Sequence, residues 1–121
     1  MTPETFTRVA KALSDQRRFE ILVLVAAEGE IGCQRLCEHF PVSQATISHH
    51  LKELTIAGLV APRRDGQCVH YRLLPSTMID YVDELQRRVP TGRGMRPGAG
   101  VRVPDDVRLA TGLESESHVV R

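Results

Sequence analysis

Apolar and polar positions alternate with the period of an α-helix over much of the chain. Near the amino end, four apolar residues fall at positions i, i+3, i+4 and i+7, namely Phe6, Val9, Ala10 and Leu13. Thr2 and Pro3 precede them as an N-cap and a first helical residue. A second stripe predicts a last helix from about residue 75 to residue 89, with Met78, Tyr81, Val82, Leu85 and Val89. Each of these two helices has an apolar face that another surface must cover.

Two more helices are predicted after the first. Ser14-Asp15 interrupts the first stripe, and the following run from Ile21 to Ala27 is apolar on nearly every side. This run predicts a second helix in the centre of the core, and Gly29 ends it. A short third helix is expected from about Cys33 to Phe40, where Pro41 stops it.

The next segment predicts a fourth helix and a β-hairpin. The helix runs from the N-cap Ser43 to about Ala57, so only Pro41-Val42 separates it from the third helix. Two strand-like runs, 59–64 and 67–73, are joined by Asp65-Gly66, which favours a two-residue turn. The order predicts a mostly α fold with a small β-hairpin. We therefore expect a winged helix-turn-helix with five helices and a two-stranded wing.

Composition indicates one globular domain. The chain has 121 residues, of which 41% are hydrophobic and 26% charged, and we place the domain at residues 1–89. Residues 90–121 begin with a Gly/Pro/Arg-rich stretch and are predicted to form a flexible tail. The sequence has no apolar run of membrane-spanning length, and its three cysteines do not suggest a disulfide framework, so a cytoplasmic location is expected. The net charge of +1 is no signature of nucleic-acid binding.

The fourth helix separates into two faces when its residues are placed at 100° steps. The apolar side carries Ile47, His50, Leu51 and Leu54. The opposite side carries Gln44, Ala45, Ser48, His49 and Lys52. His50 is therefore expected to be buried and hydrogen-bonded. The polar side lies near the amino end of the helix, where a recognition helix meets base edges in the major groove.

The side chains of this polar face suit duplex DNA. The amide of Gln44 can pair with adenine, and Lys52 can contact the phosphate backbone. Hydroxyl groups for phosphates or bases come from Ser43, Thr46 and Ser48. The hairpin tip, 63–66, carries two arginines that can reach phosphates or a minor groove. The alternative interpretation of the same residues is an ordinary solvated surface.

From Phe6 to about Val89 the sequence resembles the ArsR/SmtB winged-helix repressors. The resemblance rests on ALSDQRR (12–18), VSQATISHHLK (42–52), AGLV (57–60) and GQCVHYRL (66–73). It implies a homodimer, paired through the first and last helices, that stays on double-stranded DNA until an inducer loosens it. For such a dimer we expect an inverted-repeat operator. By the same resemblance, base or phosphate contacts would come from Gln44, Ser48 and His49, and wing contacts from Arg63, Arg64 and Gln67.

Three cysteines are candidates for an inducer site. Cys33 and Cys37 are four residues apart on one helix and point the same way, which could seat As(III) or another thiophilic ion or sense a thiol-redox signal. Cys68 is a third ligand only if the hairpin folds back or a partner subunit supplies it. Many members of the family sense such ions, but the arsenic-sensing pattern has a Cys-x-Cys that this chain lacks. Purely structural cysteines are the alternative, because free Cys is commonly buried.

Other functions find less support in the sequence. The last helix has no His between residues 75 and 89, so the zinc site of other relatives is not expected. His70 shares a strand face with Cys68 and Arg72, and a structural hydrogen bond is its expected role. We find no nucleophile with an oriented base, so an enzyme is not expected. A winged helix that binds only another protein remains the alternative to a DNA-binding repressor.

Overall fold

The computed structural model describes residues 1–92, and the predicted flexible tail lies almost entirely outside these residues. The described part contains five helices and three strands. In chain order they are α1 (Pro3–Leu13), α2 (Gln16–Glu28), β1 (Glu30–Gly32), α3 (Cys33–His39), α4 (Gln44–Ile56), β2 (Val60–Asp65), β3 (Cys68–Leu73) and α5 (Pro75–Arg88). All five predicted helices are present, and α3 and α4 form the helix-turn-helix.

Side-chain caps fix where three of the helices begin. The Thr2 hydroxyl accepts a hydrogen bond from the backbone N–H of Thr5 at 3.1 Å, as expected for the N-cap of α1. The Asp15 carboxylate caps α2 in the same way, and the Ser43 hydroxyl caps α4. Gly29 ends α2 with a φ of 82°, a value that residues with a side chain rarely adopt.

A single aliphatic core lies between the helices and the sheet. Its largest completely enclosed side chains come from α1, α2, α3, α4 and the start of the wing: Val9, Ile21, Val25, Leu36, Ile47, Leu51, Leu54, Leu59 and Val60. The prediction that α2 is surrounded by the core is only half right. Phe19 and Val23 are 47% and 52% exposed because the opposite side of α2 already packs on α4 and the sheet.

The predicted hairpin is present as β2 and β3, and the wing gains a third strand, β1, that the sequence did not predict. β1 pairs antiparallel with β3, in register Ile31↔Tyr71, and β3 lies between β1 and β2. β1 is too short to show an alternating pattern, which explains why the sequence did not reveal it. The turn also differs by one residue. Asp65 pairs with Cys68, so Gly66 and Gln67 form the turn, and Gly66 supplies the positive φ of 66°.

The terminal helices pack together through an aromatic contact. The Phe6 ring of α1 stacks on the Tyr81 ring of α5 with centroids 5.0 Å apart, and the Arg88 guanidinium lies 4.2 Å from the Phe6 centroid. This contact covers only part of the apolar stripe of α5. None of the helices within residues 1–92 combines the length and the apolar character of a membrane span.

Candidate nucleic-acid interface

The α4 helix presents its polar side to solvent. Its inner side, with Ile47, His50, Leu51 and Leu54, is buried as predicted. The side chains of its outer side are exposed: Gln44, Ala45, Ser48, His49 and Lys52. Because these groups face away from the body of the subunit, a duplex could approach them without any unfolding. The structure thus provides the outward face that a recognition helix needs.

Ser43 and Thr46 have a structural role at the start of α4. The Ser43 hydroxyl accepts the Thr46 N–H at 3.1 Å, and the two hydroxyl oxygens are 3.0 Å apart. Ser43 is exposed and Thr46 is half-buried. Both side chains therefore order the end of the helix at which Gln44 lies.

His50 anchors α4 to the start of α2. It is 7% exposed, and its Nδ1 accepts a hydrogen bond from Nε of Arg18 at 3.3 Å. The prediction of a buried, hydrogen-bonded His50 is confirmed. Burial lowers the pKa of His50, and the positive charge of Arg18 lowers it further, whereas Asp15 opposes the shift. The neutral ring is the form that can accept the Arg18 hydrogen bond.

The two arginines of the wing point to opposite faces of the ribbon. Arg63 pairs with His70 and Arg64 with Val69, so the alternation of a strand separates their side chains. Both are exposed, as is Gln67 in the turn. The structure therefore places all three predicted wing residues on the surface of the protein.

Arg63 is not a free cation in this structure. Its Nε and Nη2 donate to the two carboxylate oxygens of Glu30, each at 2.9 Å. The hydrogen bonds from Arg63 hold the pKa of Glu30 below its usual value, and Glu30 in turn raises the pKa of Arg63. Sequence analysis did not identify Glu30, because the pair joins two strands whose residues lie far apart in the chain.

His70 lies on the same face of the wing as this ion pair. Its ring packs above Gly32, and a Cβ at that glycine would meet the ring at 3.5 Å. Its side chain is not among those that form hydrogen bonds within residues 1–92, so the hydrogen bond expected for His70 is not found there. The absence of a side chain at Gly32 lets the ring lie against β1.

The structure brings two of the three cysteines together. Cys33 and Cys37 are half-buried and pack against the core, whereas Cys68 is exposed at the tip of the wing. Burial raises the pKa of Cys33, and the neighbouring Cys37 adds to the effect. Within the described residues, no three His, Cys, Asp or Glu side chains are grouped so that they could hold a metal ion. Within residues 1–92, one subunit thus has a pair of neighbouring thiols without a third ligand beside them.

The outer face of α5 carries apolar side chains that the subunit leaves uncovered. Ile79 is 58% exposed, and Val82 and Leu85 are 41% exposed. On another face, Glu84 is buried beneath Arg87 and Arg88, which both donate to its carboxylate. The hydrogen bond from Arg88 is the main cause of the lowered pKa of Glu84. The Glu84 carboxylate is thus occupied by arginines.

Two close-spaced helices, an outward polar face on the second and an adjoining β-ribbon define a winged helix-turn-helix protein. Comparison with known proteins agrees with this class. Residues 15–61 match the model of a family described as bacterial regulatory protein, arsR family. An arsenical resistance operon repressor from Staphylococcus aureus is 39% identical over 85 residues, which are 70% of this chain and 81% of that protein.

Solved structures show the same relationship. An ArsR-like transcriptional regulator from Rhodococcus sp. RHA1 is 28% identical with a TM-score of 0.65, covering 93% of this chain and 92% of the other. A homodimeric winged helix-turn-helix DNA-binding domain from Mycobacterium bovis is also 28% identical, with a TM-score of 0.59 over 73% of this chain and 83% of its own. The chain belongs to the arsR family, and it is a DNA-binding transcriptional repressor of the ArsR type.

Proposed function

We propose that two copies of this chain bind an inverted-repeat operator, with one α4 helix in each of two successive major grooves. A two-fold dimer places its recognition helices about 34 Å apart, one turn of duplex DNA. The exposed polar side of α4 carries this proposal. An operator lies on chromosomal or plasmid DNA, so the protein would act in the cytoplasm.

Each predicted contact residue has a proposed task. Gln44 and His49 contact base edges, and Ser48 contacts a base or a phosphate, because all three extend from the amino-terminal half of α4. Lys52 and Arg64 contact phosphates, which position the protein without reading sequence. Ser43 and Thr46 add phosphate contacts through their hydroxyls while they cap the helix. Gln67 and Arg63 contact the backbone from the wing.

The replacement of Gln44 and His49 together by Ala tests the base contacts. We expect the double variant to lose specific operator binding in a mobility-shift assay and to keep weak binding to unrelated DNA. Gln16, an exposed glutamine on α2, gives a matched control, and Gln16→Ala should bind as the unchanged protein does. Circular dichroism checks that both variants are folded. If the double variant retains full operator affinity, the assignment of these two residues is wrong.

We propose that the uncovered face of α5 pairs the two subunits. Ile79, Val82 and Leu85 form an apolar surface of the kind that a monomer rarely exposes. The homodimeric relative from Mycobacterium bovis supports this arrangement. Burial of this face between two copies would complete the hydrophobic stripe that Phe6 and Tyr81 begin.

We further propose that a thiophilic ion such as As(III) binds at Cys33 and Cys37 and releases the operator. The proximity of the two thiols and the name of the Staphylococcus aureus relative support this assignment. Arsenite titrated into the complex with DNA should release the protein. Release should disappear in the variant with both cysteines replaced by Ser. Cys68→Ser shows whether the partner subunit's wing supplies a third thiolate. A response that survives the double replacement excludes this site.

A further inference from the structure

The ion pair of Glu30 and Arg63 spans the middle strand of the wing. Glu30 lies opposite Arg72 on β3, and Arg63 lies opposite His70, so the two side chains reach across the outer face of β3 to meet. Arg63 and Glu30 are 50% and 34% exposed as side chains. The pair is therefore accessible to a large ligand that approaches the wing from outside.

The contact has the geometry with which arginine binds a phosphate group. Two parallel N–H groups, Nε and Nη2, donate to two oxygens of one anion, both at 2.9 Å. Guanidinium groups bind carboxylate and phosphate through this same fork. While Glu30 occupies this edge of Arg63, a phosphate cannot use the same two donors.

The charge of Glu30 also acts against DNA at this position. The carboxylate stays ionised because hydrogen bonds from Arg63 lower its pKa, and the charge of Arg72 acts in the same direction. An ionised carboxylate beside the wing repels an approaching phosphate. A phosphate can therefore bind Arg63 strongly only if Glu30 is displaced. If Glu30 stays in place, its negative charge offsets most of the attraction between Arg63 and the phosphate.

We propose that Glu30 competes with DNA phosphates for Arg63 and thereby limits the affinity of the protein for DNA that α4 does not recognise. The inference rests on the proposed contact between the wing and DNA. On unrelated DNA, phosphate contacts supply nearly all of the binding energy, so the loss of one arginine from each wing weakens binding most there. On the operator, contacts from α4 hold the duplex against the wing and favour the exchange of Glu30 for a phosphate.

Glu30→Gln tests the proposal, because it removes the charge and keeps the size of the side chain. Fluorescence anisotropy with an unrelated duplex at low salt should show about two- to tenfold tighter binding by the variant. If each of two wings gains a phosphate contact, the slope of log affinity against log salt should become steeper by about 2. Arg63→Ala combined with Glu30→Gln should abolish both effects, and circular dichroism verifies the fold.

A matched variant separates this effect from a general change of charge. Glu28 is a second ion-paired surface glutamate, with Arg35 at 3.8 Å, and Glu28→Gln changes the net charge equally. An equal gain in affinity from Glu28→Gln, or a gain that persists without Arg63, would overturn the proposal. Weaker binding by Glu30→Gln would also overturn it, and would mean that Glu30 positions Arg63 for DNA. The base contacts of Gln44 and His49 are tested by their own double variant. Neither outcome of the Glu30→Gln experiment therefore changes the assignment of those two residues.

Discussion

Replacement of Lys52 by Ala should change the salt dependence of DNA binding by a calculable amount. Lys52 is exposed on the outer side of α4, and the exposed wing residues Arg63 and Arg64 are the other two cations proposed to contact DNA. A homodimer would present two copies of each cation. Each neutralised phosphate contributes about −0.9 to the slope of log affinity against log salt. The three cations of each subunit, taken over both subunits, therefore predict a slope of about −5. If Arg63 stays with Glu30, the slope is about −4.

Lys52→Ala removes one phosphate contact from each subunit. The slope should therefore become shallower by about 2. From 50 to 200 mM salt, the unchanged protein should lose roughly a thousandfold in affinity at the steeper slope, and the variant roughly a hundredfold. Fluorescence anisotropy of a labelled operator duplex at several KCl concentrations measures both slopes.

Lys11 on α1 provides the matched control, since it is also an exposed lysine but lies outside the proposed DNA face. Lys11→Ala should leave the slope within error of the unchanged protein. An unaltered slope in Lys52→Ala would show that this lysine does not contact phosphate. Binding that hardly responds to salt in any variant would refute the electrostatic part of the proposed interface and favour a protein partner.

Three further perturbations test the structure. Ser43→Ala removes the cap of α4 and should lower the free energy of unfolding by about 1 kcal/mol in urea titrations, whereas a change below about 0.3 kcal/mol would contradict the capping role. Burial lowers the pKa of His50 in the folded protein below the ordinary value of 6.5. The contribution of neutral His50 to the free energy of unfolding is therefore complete above pH 6.5 and is lost as the pH falls through the lowered pKa. Replacement of His50 by Gln should flatten this part of the curve of stability against pH. Val82→Glu should yield monomers by sedimentation, and Val23→Glu, on the exposed side of α2, should not; dimers in both variants would exclude the α5 interface.

The helices and the outward face of α4 could be predicted because local features determine them. A helix cap and the apolar spacing of a helix each relate residues only three or four positions apart. The structure contains the predicted caps at Thr2 and Ser43. The burial of His50 could be predicted because 100° steps along α4 place it on the same side as Ile47, Leu51 and Leu54. Its partner Arg18 could not, because that contact joins residues that are 32 positions apart.

The parts that sequence analysis missed depend on contacts between distant segments. β1 has three residues, and it is a strand only because β3 offers a free edge at that point. The same pairing brings Glu30 near Arg63, for which the sequence predicts only a wing contact with DNA. The exposure of Phe19 and Val23 likewise depends on which side of α2 its neighbours cover. No periodicity within a single segment carries this information.

Gly32 is at once the last residue of β1 and the N-cap of α3. Its backbone therefore belongs to the edge of the sheet on one side and to the thiol-bearing helix on the other. A rotation of α3 by even a few degrees would pull directly on the ladder between β1 and β3. A displacement at the cysteines would thus reach the ribbon through one continuous stretch of main chain, without passing through α4.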